Sequence, residues 1–322
     1  MGELVPTMLR GRGPRVRPLR ASMRVARTAS GVVDGYARRG TRRRGPAGAS
    51  AVQHVGVDGQ VGSSEPGTSR GVDADDPGSP HAAHVRHLAV IMDGNHRWAV
   101  ERGVRAEAGY EQGVESLRTL IDCSLRRGVE ALTVFAYSKD NGKRGVAESA
   151  FLFRLFESCL EAELANLVDA GVWVHFIGAR GSLPPQLQRL MRSAERASSP
   201  SDGAAQPRMH LTIALNYSAR EDMASAARSL AREAVAATLR AEDIDEDAFE
   251  RRLSTSVLPK RLRQPDLLLR TSGEERLSDF LLWEVAYSEL VFTHVKWPEF
   301  GSDDFDAAMD AFATRERRFG GR

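Results

Sequence analysis

Cysteine is scarce: only Cys123 and Cys159 occur in 322 residues, and neither stands in a metal-ligand or redox spacing. A disulfide-stapled scaffold is therefore excluded, and two reduced, buried thiols within helical patterns are expected, as in a cytoplasmic protein. Long apolar runs are missing as well. No stretch reaches the ~20 residues that a membrane-spanning helix needs, so no integral membrane segment is expected. No tandem repeat points to a solenoid or array. Lysine is absent from residues 1–50, where twelve Arg face only Glu3 and Asp34. That stretch carries +10 against +2 for the whole chain, which leaves −8 for residues 51–322. The basic balance belongs to a tail and not to the body.

Residues 2–80 also lack apolar periodicity, and Gly, Pro, Ser and Arg dominate them. Such a segment cannot bury enough apolar area to offset its ordering entropy. Residues 1–84 are read as a disordered extension and linker, and residues 85–322 as one folded domain. An inert extension, or one translated from too early a start, is favoured over anionic-surface binding or targeting, because charge runs are usually solvated. No specific nucleic-acid partner is expected. His81, His84 and His87 recur every three residues, but no Cys or carboxylate completes a ligand set, so a solvated linker is the reading.

From His87 the texture changes. His87-Leu88-Ala89-Val90-Ile91-Met92 is a short apolar run that stops at Asp93-Gly94-Asn95, the pattern of a buried strand followed by a loop. Further strands are predicted at 131–137, 172–177, 210–215, 266–270 and 290–293. Helices are predicted at 110–127, 147–170, 184–197, 220–236, 243–253, 278–287 and 303–318, with Gly171 as a stop signal. This alternation predicts an α/β fold, a single domain with a mostly parallel central sheet flanked by helices. Ligands of such sheets bind outside the carboxyl ends of the strands. The polar loops 93–95, 138–144, 216–217 and 270–274 each follow a predicted strand end, so they should converge on one rim.

Asp93-Gly94-Asn95-His96-Arg97 should open a helix, and helix N-termini favour anions. Gly94 allows close backbone approach, Arg97 offers a bidentate charge, and Asp93 is a hard oxygen ligand suited to magnesium. Taken alone, Asp93 and Asn95 are ordinary helix caps with Arg97 a surface charge. The second cluster, Arg270-Thr271-Ser272-Gly273-Glu274-Glu275-Arg276-Leu277-Ser278, joins two Arg to hydroxyls and a glycine, the donor types of an oxyanion site. The bland alternative pairs Arg270 with Glu274 and makes Ser278 a cap. Ser138-Lys139-Asp140-Asn141-Gly142-Lys143-Arg144 supplies hydroxyl, acid, amide and cations, though alone it is an Asn-Gly turn. Glu289, between apolar neighbours, needs a cation.

These segments together, with Asn216-Tyr217 and Trp297-Pro298-Glu299-Phe300, resemble the cis-prenyltransferases of the undecaprenyl diphosphate synthase group from about His87 onward. The resemblance implies a magnesium-dependent enzyme, usually a homodimer, that condenses isopentenyl diphosphate with an allylic prenyl diphosphate to a cis-polyprenyl diphosphate. It implies Asp93 as the essential metal-positioning acid, with Glu289 completing the metal site, in some members across the dimer interface. It places Gly94, Asn95, His96, Arg97 and Trp98 around the allylic diphosphate, and Arg270, Arg276, Leu277 and Ser278 in the isopentenyl diphosphate pocket. Asn141 matches the asparagine proposed to assist proton removal, with Ser138, Lys139, Asp140 and Arg144 as neighbours. A cytoplasmic enzyme that releases product to the membrane surface follows.

Departures from the family pattern cluster around the allylic pocket. Tyr110 stands where the family has His, Gly142 replaces a Trp, and Ala106 takes the place of an Arg that here falls at Arg105. His96 replaces a glycine, and Asp140 a glutamate. Ala136 leaves room at the presumed tunnel mouth. Two further readings are a diverged synthase of short, branched or cyclic terpene diphosphates and a non-catalytic partner subunit.

Overall fold

The computed structural model describes residues 84–200 and 206–315. The expected disordered extension, apart from His84, lies outside these residues, as does His81. Six strands form one sheet in the order β3-β4-β2-β1-β5-β6. They are β1 (His87–Ile91), β2 (Ala131–Ser138), β3 (Val172–Ile177), β4 (Met209–Tyr217), β5 (Leu267–Arg270) and β6 (Glu289–Phe292). Every pairing is parallel. β1 is buried at all five positions because helices cover both sheet faces, which is why its sequence reads as an unbroken apolar run.

The helices are α1 (Asn95–Glu101), α2 (Ala106–Arg127), α3 (Val146–Asp169), α4 (Pro185–Ser198), α5 (Ala219–Val235), α6 (Glu246–Glu250) and α7 (Ser302–Ala313). The stop signal at Gly171 acts as expected, following α3 at φ 74, and Gly128 closes α2 in the same way at φ 73. Pro185 opens α4, where its missing N–H costs nothing. One apolar layer joins Leu88, Val90, Leu132 and Val134 to α2, α3, α4 and α7; the opposite layer gathers Ala89, Ile91, Tyr217, Leu268 and Phe280.

Two expected helices fail. Residues 278–287 form a succession of turns, with Ser278, Asp279 and Leu281 at φ 50, 63 and 47. A left-handed run cannot continue an α-helix, and the side chains of Ser278 and Asp279 are committed to other elements, as described below. Within 243–253 only Glu246–Glu250 is α-helical, capped by Asp245, whose carboxylate accepts from the Ala248 N–H at 2.7 Å. His87, expected in a solvated linker, is instead 1% exposed on β1 and hydrogen-bonds Thr133 at 2.8 Å.

Candidate active site

Because β4, β2, β1 and β5 are neighbours, the four polar loops do meet on one rim. A cavity of about 940 Å³ opens there, near the top of the range for small-molecule sites. Of the predicted site residues, Asp93, Gly94, Asn95, His96, Arg97, Tyr110, Ser138, Asp140, Asn141, Arg270, Arg276 and Ser278 line it. Its wall also takes in the apolar Ile91, Met92, Phe135, Ala136 and Leu152. The lining therefore combines charged and apolar side chains.

The loop after β1 is locked before its side chains are placed. Thr271, fully buried, accepts from the Asp93 N–H at 2.9 Å and donates to the Asp93 carbonyl at 2.7 Å. The Trp297 N–H reaches the same carbonyl at 3.0 Å. Gly94 sits at φ 108, and a Cβ there would fall 2.8 Å from Ser272 Oγ, so glycine is required twice over. Arg270 is 3% exposed; its Nη2 donates to Asp93 Oδ2 at 2.9 Å and its Nη1 to Ser278 Oγ at 2.7 Å and to the Arg276 carbonyl. Arg97 bonds Asp93 Oδ2 at 3.2 Å, Glu274 at 2.9 Å and the Ser272 carbonyl at 3.1 Å. Glu274 also pairs with Arg276. The alternative in which Arg270 pairs with Glu274 is therefore not what forms: the buried guanidinium goes to Asp93 and the exposed ones go to Glu274.

Burial pushes the Asp93 carboxyl up, but hydrogen bonds and charge from Arg270 and Arg97 outweigh it and hold the group below its ordinary range. An ionised Asp93 with Oδ2 engaged has Oδ1 without a hydrogen-bond partner among the described residues. That oxygen and a side-chain exposure of 29% fit magnesium held by one carboxylate plus substrate and water oxygens.

Ser138 and Asn141 form a capping box: the Ser138 N–H and Oγ–H both donate to Asn141 Oδ1, at 2.7 and 2.9 Å. The predicted Asn-Gly turn is thus a 3-10 helix, Lys139–Arg144, with Arg144 at its end. A bulge precedes it, since the β2–β4 register shifts on either side of Tyr137, and bulges re-aim side chains beside active sites. Tyr110, on α2, donates to Glu148 on α3 at 2.5 Å and so bridges two helices at the cavity wall.

Four predicted residues lie off the cavity. Trp98 packs under the Arg102 guanidinium, 4.7 Å from its ring centre. Leu277 packs into the second apolar layer. Lys139 pairs with Glu221 at 2.9 Å beside an adjoining cavity of about 440 Å³. Glu289 finds its cation in Arg315, at 2.7 Å. It also starts β6 opposite Leu267, whereas Arg270 lies opposite Phe292, so within one chain Glu289 sits at the amino end of the sheet, away from Asp93. Polar lining residues to which the sequence gave no role are Glu148, Arg220 and Asp279. Arg220 lies four residues after Asn216, in the first turn of α5, so its nearness to a strand-end loop was the available signal.

A parallel sheet whose rim sets guanidiniums and carboxylates beside apolar side chains defines a site suited to an anionic head group on an apolar chain. The sequence comparisons sharpen this. Residues 91–320 match the prenyltransferase family model of the undecaprenyl diphosphate synthases, and the chain belongs to that family, the cis-prenyltransferases. It is 44% identical over 239 residues to the (2E,6E)-farnesyl-diphosphate-specific ditrans,polycis-undecaprenyl-diphosphate synthase of Xanthomonas axonopodis pv. citri, covering 74% of this chain and 90% of that one. It is 43% identical to the isoprenyl transferase of Bacillus subtilis, over 73% and 87% of the two chains. Among solved structures, lavandulyl diphosphate synthase from Lavandula x intermedia, in complex with dimethylallyl diphosphate, superimposes with a TM-score of 0.69 at 35% identity, covering 73% of this chain and 98% of that one. The chain is accordingly a prenyltransferase with the family's α/β fold.

Proposed function

We propose that this enzyme condenses isopentenyl diphosphate with an allylic prenyl diphosphate, with magnesium, to give a cis-polyprenyl diphosphate. The observation that carries the reading is the Arg97–Asp93–Arg270 cluster in a cavity that is also lined by Met92, Phe135, Ala136 and Leu152. Arg97 and the backbone of Gly94 and Asn95 would grip the allylic diphosphate; Arg276 and Ser278, with Arg270 behind them, would hold the isopentenyl diphosphate. Preorganised donors of this kind stabilise charge that develops on a departing diphosphate. Asp93 would hold magnesium, which supplies positive charge against the diphosphate oxygens.

Asn141 Oδ1 is committed to Ser138. Its amide nitrogen is therefore the group that can meet a substrate oxygen, in a position to orient the isopentenyl unit for loss of its C2 proton. Apolar lining excludes water, which would otherwise capture the allylic cation.

Glu289 can reach a metal only from a second copy of the chain, which favours a homodimer with Glu289 exchanged from Arg315 to the partner's site. No helix among the described residues is long and apolar enough to cross a membrane. We further propose activity in the cytoplasm, with product passing to the membrane surface. A second reading, a branched short-chain product, draws on the likeness to lavandulyl diphosphate synthase and on the Tyr110–Glu148 bridge.

Incubating the purified protein with labelled isopentenyl diphosphate, magnesium and primers of increasing length, then sizing the dephosphorylated products, tests both readings. A ladder of elongated products supports the first, and a single branched product the second. Asp93→Ala should lower turnover by about 10³-fold, the scale of a lost transition-state contact. Intact turnover in that variant removes the mechanism.

A further inference from the structure

Arg220 is exposed at 74% of its side chain, yet it is held in a particular direction. Its Nε donates to Asp279 Oδ1 at 3.2 Å and its backbone N–H to the same oxygen at 3.1 Å. Asp279 is 15% exposed along its side chain and strained at φ 63. Its other oxygen takes the Ser218 hydroxyl at 2.6 Å, and its carbonyl takes the Ala219 N–H at 3.0 Å. A left-handed aspartate thus ties the phosphate-type loop after β5 to the start of α5. Strain of this kind persists only where surrounding contacts over-determine it, and it gathers at functional sites.

The tie has a direction. Holding a guanidinium by its Nε edge leaves Nη1 and Nη2, which have no hydrogen-bond partner among the described residues. Arg97 and Arg270 differ, for both terminal nitrogens of each are engaged. Arg220 lines the main cavity and the adjoining one, together with Ser138, Asp140, Ser278 and Asp279. Its neighbour in that wall, Ser278, receives Arg270 at 2.7 Å.

We infer that Arg220 is a further contact for the isopentenyl diphosphate, and that Asp279 is its positioning residue. The inference rests on the proposed reaction and deepens it. The two terminal N–H groups match two diphosphate oxygens in the bidentate geometry that makes arginine the preferred phosphate ligand. The allylic diphosphate is met through the loop after β1, whereas Arg220 opens α5 after β4.

The test is direct titration of the protein with isopentenyl diphosphate in the absence of primer, alongside steady-state kinetics and thermal melts. Arg220→Ala and Arg220→Gln should each raise the Kd and KM for isopentenyl diphosphate about tenfold, the effect of one exposed charge-assisted pair. The primer KM should stay within about twofold, since other donors hold that diphosphate. Asp279→Asn should move the same constants in the same direction by less. Adding it to Arg220→Ala should change nothing further, because a positioning residue acts only through the group it positions. Unchanged isopentenyl diphosphate binding in both Arg220 variants overturns the inference while leaving the reaction intact; a rise confined to the primer KM overturns it too. Failure of the unaltered protein to bind isopentenyl diphosphate at all sinks the proposed reaction, and this inference with it.

Discussion

Gly109→Ala sets two physical effects against each other, and the structure decides between them. Gly109 lies inside α2, where alanine ordinarily gains about 1 kcal/mol over glycine. Propensity therefore predicts a more stable protein. A Cβ at this position, however, would stand 2.2 Å from the Asn95 carbonyl oxygen and 3.0 Å from its carbon. Both are backbone atoms, so no rotamer relieves the overlap. α1 and α2 must part by about 1 Å to restore van der Waals contact, and overpacking of this kind costs roughly 1–3 kcal/mol. The net change is then a loss of up to about 2 kcal/mol, or a fall in Tm of a few degrees at this domain size. α1 also carries Arg97, whose bond to Asp93 is only 3.2 Å long. If Arg97 grips substrate as proposed, a 1 Å displacement costs on the order of 100-fold in rate. Calorimetric melting and kcat/KM measured together are the assay. Gly181→Ala serves as the control, for a Cβ there meets nothing within 4 Å. If Gly109→Ala melts at or above the wild-type temperature with full turnover, the close approach of α1 to α2 is not what places the site.

Acid should destabilise the fold through its buried histidines. Burial lowers His87 and His175 to about 4, and lowers His210 as well, with Asp266 partly opposing at His87 and the neighbouring imidazole of His210 adding to the effect at His175. The unfolded chain then binds more protons, so stability is complete above pH 6.5 and is lost as pH falls toward 4. Glu284, which burial raises to about 7, works in the opposite sense over the same range. His175→Gln should reduce the loss between pH 7 and pH 5 by roughly 2 kcal/mol, read from denaturant midpoints; an unaltered pH slope contradicts it. Tyr110→Phe removes the 2.5 Å bond to Glu148 and should loosen the wall between α2 and α3. Longer products from the same primer, by about one or two isoprene units, are expected, since a pocket wall discriminates by only ~1–3 kcal/mol per small group. An identical product distribution would show that the bridge does not limit chain length.

The strands and the loops that follow them were legible because each is a local pattern. A buried parallel strand such as 87–91 must be apolar throughout, and the sharp change at Asp93-Gly94 marks where cover by helices ends. The motif residues sit within a few positions of one another, so Asp93, Arg97, Arg270 and Ser278 could be named together. Their partnerships could not. Asp93 and Arg270 are 177 residues apart, and which guanidinium is buried depends on how β1 and β5 pair. The lost helix at 278–287 has the same origin: its local sequence is helix-compatible, but Ser278 and Asp279 turn left-handed to serve Arg270, Ser218 and Arg220. Likewise Glu289 reads as a site acid next to apolar neighbours, and only the register of β6 puts it at the amino end of the sheet beside Arg315. By itself the sequence determined which segments could be strands, where their polar ends fall and what chemistry those ends can hold. The tertiary structure decided which charges neutralise each other and which terminal nitrogens stay unengaged among the described residues, because those outcomes depend on distances between elements far apart along the chain.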